Sequence, residues 1–193
     1  MPGPMKMLSP YESVAGAAVI AGSRMWLERA VIGLQLCPFA KAVYLKKQIR
    51  YAVTAASDAA ALLLELNSEL ALLARTSADE IDTTLLIHPA VMNDFLDYNC
   101  FLDEADTALR SLDLEGVLQV ASFHPQYQFA GTTSDSIDNY TNRSPYPMLH
   151  LLREASIDKA VAAFPDAADI YETNIATLRR VGHEGWRKLW VTQ

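Results

Sequence analysis

The chain has 193 residues, 51% of them hydrophobic and 20% charged. That composition excludes an intrinsically disordered protein and supplies a core without disulfide or metal staples. The net charge of −7 excludes the basic footprint of a nucleic-acid binder and opposes association with anionic membrane, and no Lys/Arg cluster larger than Lys46-Lys47 offsets it.

Residues 1–10 hold Pro2, Gly3, Pro4 and Pro10 and are expected to be mobile. Residues 11–193 read as a single α/β domain. The small-apolar run Val14 to Gly22 is too short to span a bilayer. Only Lys6 precedes it, Glu12 intervenes, and the following residues continue smoothly into an amphipathic helix, which argues against a secretory signal. Trp26, Leu27, Ala30, Val31 and Leu34 recur at helical spacing and predict a helix from about Tyr11 to Leu36. Pro38 breaks it, and a short helix is expected over Phe39 to Lys47.

Ile49, Tyr51 and Val53 alternate with more polar neighbours and predict a strand. Ser57-Asp58 caps a helix built on Leu62, Leu66, Leu70 and Leu73. Thr83 to Ile87 is a short buried strand, Val91 to Leu112 a helix, and Val117 to Phe123 a strand after the break at Gly116. The expected fold is therefore a small, mainly parallel sheet of three or four strands flanked by helices, with extra N- and C-terminal helices. Residues 125–147 carry no apolar period and read as a long loop, a feature more often functional than a spacer. Helices are expected over Pro147 to Ala155 and over Asp166 to Val181, the latter stopped by Gly182. No internal repeat, heptad run or linker is present.

Parallel α/β sheets place their binding crevice beyond the carboxyl ends of the strands. Two strands here end in the same dipeptide, His88-Pro89 and His124-Pro125, which directs both imidazoles to that edge. His124 is the candidate acid/base and His88 its assistant, since imidazole titrates near neutrality. The bland reading is that proline ends each strand and histidine caps the sheet. His150 and His183 read as structural.

Arg143, beside a helix start at Tyr146-Pro147, is the candidate clamp for a carboxylate or phosphate. Asn139, Asn142, Ser144 and Tyr146 would line the same site. Alternatively these groups satisfy loop backbone, and Arg143 pairs with Asp135 or Asp138. Cys37, at the amino end of a helix, is expected to have a lowered pKa, and Lys41 one turn on would share its cleft. The other reading of Cys37 is a small residue packed at a helix junction. His88, His124, Asp135 and Asp138 form a weak candidate metal set, without a tight ligand spacing such as HExxH. No cofactor is indicated by motif: phosphate-binding glycine loops, GxSxG and CxxC are all absent.

Two cysteines, Cys37 and Cys100, do not make a disulfide framework and read as reduced thiols in the cytoplasm. Cys37-Pro38-Phe39-Ala40 resembles the single-cysteine motif of omega-class glutathione transferases, although helix rather than strand precedes it, and that likeness implies thiol-transfer chemistry. Over the longer segments Leu36 to Lys41, Ala121 to Phe129, Asn139 to Pro147 and Leu149 to Ile157, the chain resembles the bacterial family of unknown function DUF1415. The resemblance implies that these segments are hallmarks and carries no activity with it. The family pattern has an acidic pair ahead of the loop isoleucine, where this chain has Asp135-Ser136.

Taken together, these residues point to a cytoplasmic small-molecule enzyme of hydrolase or transferase type acting on an anionic metabolite. The alternatives are a non-catalytic ligand-sensing or partner-binding protein, and a thiol/redox protein using Cys37. An accessory subunit presenting Trp26, Trp186 and Trp190 at an interface is a further structural reading. The oligomeric state is not legible in the sequence.

Overall fold

Leu62, Leu66, Leu70 and Leu73 fall on one face of a 17-residue helix and are fully buried. That stripe selects which side of the chain meets the sheet. In the computed structural model, which describes residues 14–163 and 169–191, the helix is α3 (Ala59–Arg75), opened by Asp58, whose carboxylate accepts from Ala61 N–H at 2.8 Å. It packs with α4 (Phe95–Ser111), capped by Asp94, on one face of a four-stranded sheet. The strands are β1 (Ile49–Val53), β2 (Thr83–Ile87), β3 (Leu118–Phe123) and β4 (Met148–Arg153), in the spatial order β1-β2-β4-β3.

β1 and β2 pair in parallel, whereas β4 runs antiparallel between β2 and β3. The sheet is therefore mixed, not mainly parallel. β1, β2 and β3 nonetheless point the same way, so their carboxyl ends share one edge with the amino end of β4: Met148 stands opposite both Ile87 and Phe123.

β4 corrects the helix expected over Pro147 to Ala155. Met-Leu-His-Leu-Leu-Arg is apolar on both faces, as a central strand covered on both sides must be, and such a run does not announce its period. A helix, α5 (Glu154–Ala162), starts only after it.

The opposite face is covered by α1 (Val14–Trp26), a π-helical turn over Leu27–Ile32, and α2 (Ala40–Leu45). In the wide turn, Gly33 N–H donates to Glu28 O at 3.0 Å. A Cβ at Gly33 would lie 2.3 Å from Arg29 O, so this close passage requires glycine. Trp26, Leu27, Ala30 and Val31 pack here against Leu85, Ile87, Met148 and Phe123, joined by Leu178 and Trp186 of α6 (Ile170–Lys188). Within α6 the backbone leaves the helical region at Gly182 (φ 62°), so the stretch that begins at Ile170 stops there as expected, and a second helical stretch continues from it to Lys188. The long loop contains a 3-10 helix, Ile137–Thr141, against which α6 packs; Arg179 grips Asp138 with two hydrogen bonds at 2.7 and 3.0 Å.

Among the described residues no helix is long and apolar enough to cross a membrane. The expected mobile segment 1–10 and the expected helix start at Asp166 lie outside the described residues.

Candidate functional site

The two His-Pro strand ends do converge. Counting alternate residues along β2 and β3 puts His88 and His124 on the α3/α4 side, and there both rings meet Tyr98. The centroid distances are 5.8 Å for His88 and 5.1 Å for His124. The Tyr98 hydroxyl donates to Met148 O at 2.9 Å and accepts from Phe123 N–H at 3.1 Å, tying the ends of β3 and β4 together. Phe95 closes over His124 at 5.4 Å.

Both imidazoles are 0% exposed, and backbone groups fix their tautomers. Gln126 N–H can only donate, so His124 Nδ1 is the acceptor of that 3.0 Å bond, and Nε2 carries the proton given to Met92 O at 3.0 Å. His88 Nδ1–H donates to Val91 O at 3.0 Å. Its Nε2 has no partner among the described residues. Burial pushes His88 down to about 4, and burial also lowers His124 against the opposing pull of the Met92 carbonyl and Asp94.

The loop residues organise the loop. Asn139, fully buried, accepts from Phe129 N–H and the Thr132 hydroxyl and donates to Thr133 O. Asn142 donates through Nδ2 to Ser122 O, and its own carbonyl receives His124 N–H. Ser144 donates to Tyr146 O at 2.6 Å. Arg143 donates from Nε to Tyr127 O at 3.2 Å and from Nη2 to Ser134 O, and its guanidinium lies 4.4 Å from the Tyr140 ring centre. Neither Asp135 nor Asp138 is its partner, and the helix start expected at Tyr146-Pro147 is the start of β4. Tyr146 instead packs over α1, where a Cβ at Gly22 would stand 3.3 Å from its ring. The candidate metal set does not assemble: among the described residues no three His, Cys, Asp or Glu side chains gather to hold an ion.

Cys37 and Lys41 lie across the sheet from His88 and His124. Cys37 walls a cavity of about 280 Å³ between the sheet and α1–α2. Trp26, Val31 and Val43 line it from the helices, Leu85, Ala121, Phe123 and His150 from the strands, and Ile157 from α5.

Sequence reasoning missed His150, which belonged to an expected helix. Read as a strand, Met148, His150 and Leu152 face one way, and a single imidazole in that apolar row is the signal. Its surroundings also fix its tautomer. The one hydroxyl proton of Thr83 goes to Leu151 O at 2.7 Å, so Thr83 Oγ1 must accept from His150 Nε2–H at 2.7 Å. Nδ1 then carries a lone pair that takes no partner among the described residues. Burial pushes His150 down to about 4.

Cys37 corrects the expected lowering of its pKa. Burial raises the thiol, and the N–H groups of Phe39 and Ala40 offset this only in part. Thiol and imidazole are both neutral at pH 7.

Four mixed strands with helices on both faces define an α/β protein built around a pair of sealed strand ends on one side and a small apolar cavity on the other. Residues 18–188 match the family described as protein of unknown function (DUF1415), and the chain belongs to that family. Comparison with curated proteins and with solved structures finds no match.

Proposed function

We propose that this chain binds a small, mainly apolar molecule in the cavity between the sheet and α1–α2, with His150 Nδ1 accepting a hydrogen bond from it. The observation that carries this reading is the cavity itself, about 280 Å³ beside an imidazole nitrogen without a partner. Protein interiors are packed to crystal density with few voids larger than a water molecule. Mostly apolar pockets with one or two placed polar groups are the usual form of small-molecule sites, at roughly 300–1,000 Å³.

Neutral thiol and neutral imidazole favour binding over acid–base or thiolate chemistry. An enzyme built on His124 and Arg143 has less support. Proton transfer at His124 would have to break its bond from Gln126 N–H or its bond to Met92 O, and Arg143 already donates to two loop carbonyls. A reducing compartment such as the bacterial cytoplasm fits two free thiols.

Titration calorimetry with 1-octanol tests the proposal. Its tail matches the apolar walls and its hydroxyl can donate to His150. Wild type is expected to bind it, and Ala121→Phe, which fills the cavity from the sheet, to lose binding. Val43→Phe fills the cavity from α2 and guards against misfolding of the first variant. Absence of binding to wild type, or binding unchanged in both folded variants, would overturn the proposal.

A further inference from the structure

A second cavity, of about 520 Å³, adjoins the first, and Cys37 belongs to the wall of both. It is the more polar of the two, although Ile32, Leu34, Pro38 and Ile170 also line it. Lys41 of α2 and Arg180 of α6 line it together with Gln35, Thr173 and Asn174, and among the described residues no carboxylate lines it. In a chain of net charge −7, two cations with no facing acid among the described residues are a deviation. Neither cation forms an ion pair among the described residues, where the pairs are Arg50–Glu69, Arg179–Asp138 and Lys188–Glu184. At this chamber α6 is tied to the turn before Cys37 by Asn174, which donates to Leu36 O at 2.7 Å.

We infer that the ligand is an amphiphile: an anionic headgroup of carboxylate or phosphate type held by Lys41 and Arg180, and an apolar tail that passes Cys37 into the cavity beneath the sheet. The inference rests on the proposed binding function and adds the ligand's chemical class and direction. A purely apolar ligand would leave the cationic chamber unused. A small hydrophilic anion would leave the apolar one unused. Only a molecule with both ends engages the two volumes at once, and such a molecule must cover the thiol between them. A hydroxyl on the tail would also meet His150 Nδ1.

Nonanoate, octyl phosphate and 1-octanol share an octyl tail and differ in the head. At low salt at least one anion is expected to bind about tenfold more tightly than octanol, as two solvent-exposed, screened charge contacts allow. The ratio of that anion's affinity to octanol's should fall toward one in the double variant Lys41→Ala/Arg180→Ala. Whichever head is preferred identifies the headgroup. Bound anion should also slow alkylation of Cys37 by iodoacetamide while leaving the exposed Cys100 unaffected, as read by peptide mass spectrometry on one sample.

Octanol binding with neither anion preferred overturns the inference and leaves the binding function standing. So does a preference that survives the double variant, or an anion that binds without shielding Cys37. Failure of all three ligands removes both.

Discussion

The two faces of the sheet treat buried polar groups differently. On the α3/α4 face, Tyr98, His88 and His124 form one stack at the strand ends. The Tyr98 hydroxyl and both His124 nitrogens are spent on backbone groups, and neither imidazole lines any of the cavities bounded by Cys37, Lys41 or Tyr146. On the α1/α2 face, Thr83 and His150 form a similar chain of bonds, but the ring leaves one nitrogen facing a void. His124 is a fastening with no nitrogen left over, whereas His150 offers one toward a cavity; His88 also keeps Nε2 unpartnered, but it lines none of these cavities. Motif position therefore says less about function than whether the hydrogen-bonding capacity of a group has been used up.

A paired deletion of hydroxyls gives the largest expected contrast. Tyr98→Phe leaves Met148 O and Phe123 N–H buried without their partner, with an expected loss of about 2–4 kcal/mol in urea denaturation. Thr83→Val also strips two groups, Leu151 O and His150 Nε2–H. They lie beside the cavity, where solvent and side chains can adjust, and the expected loss is nearer 1–2 kcal/mol. Equal losses would mean that the two faces are equally closed and would weaken the distinction.

Acid sharpens it further. His88 and His150 titrate at about 4 in the folded chain against an ordinary value of 6.5. Below 6.5 the unfolded chain takes up protons that the folded chain refuses. The stability contributed by neutral burial is therefore complete above pH 6.5 and lost as pH falls toward 4, by up to about 1.4 kcal/mol per pH unit for each ring. Between pH 6.5 and 5 most carboxylates remain ionised, so the slope there reports the histidines. His150→Phe should remove one ring's share and His88→Phe the other's. Stability that stays flat across this window would show that both rings reach water and titrate normally.

Much of the scaffold was legible because its signals are local. The leucine ladder of α3, the cap Asp58 and the aliphatic run of β2 each specify their element without reference to anything distant, whereas the cap Asp94 sits three residues inside the helix expected from Val91. The convergence of His88 and His124 on one edge followed from strand direction alone, and it survives the antiparallel insertion of β4 because β2 and β3 still run the same way. What was not legible depends on burial. Met148 to Arg153 lacks a period because both of its faces are covered, and its misreading as helix removed His150 from consideration. Arg143 looked like an anion clamp because a sequence cannot show that Tyr127 and Ser134 bring their carbonyls to it. The cavity is a gap between α1–α2 and the sheet, and gaps leave no mark on the order of residues.

The thiol at the junction of the two cavities carries the smallest effect and the finest discrimination. Two influences act on Cys37 in opposite directions. Burial disfavours the thiolate, while the N–H groups of Phe39 and Ala40 favour it, and burial is the larger. Alkylation proceeds through the thiolate, so Cys37 should react slowly at neutral pH, and its rate should keep climbing above the ordinary thiol range as the small ionised fraction grows. The deficit is partly masked, because a more basic thiolate is also a better nucleophile. The shape of the pH–rate profile is thus more telling than the rate at one pH. Cys100, exposed on α4, reports reagent quality in the same tube. A Cys37 profile that levels off by pH 7 would show the two N–H groups prevailing. The apolar cavity would then border a reactive thiolate, and the thiol-chemistry reading of Cys37 would regain its place ahead of simple binding.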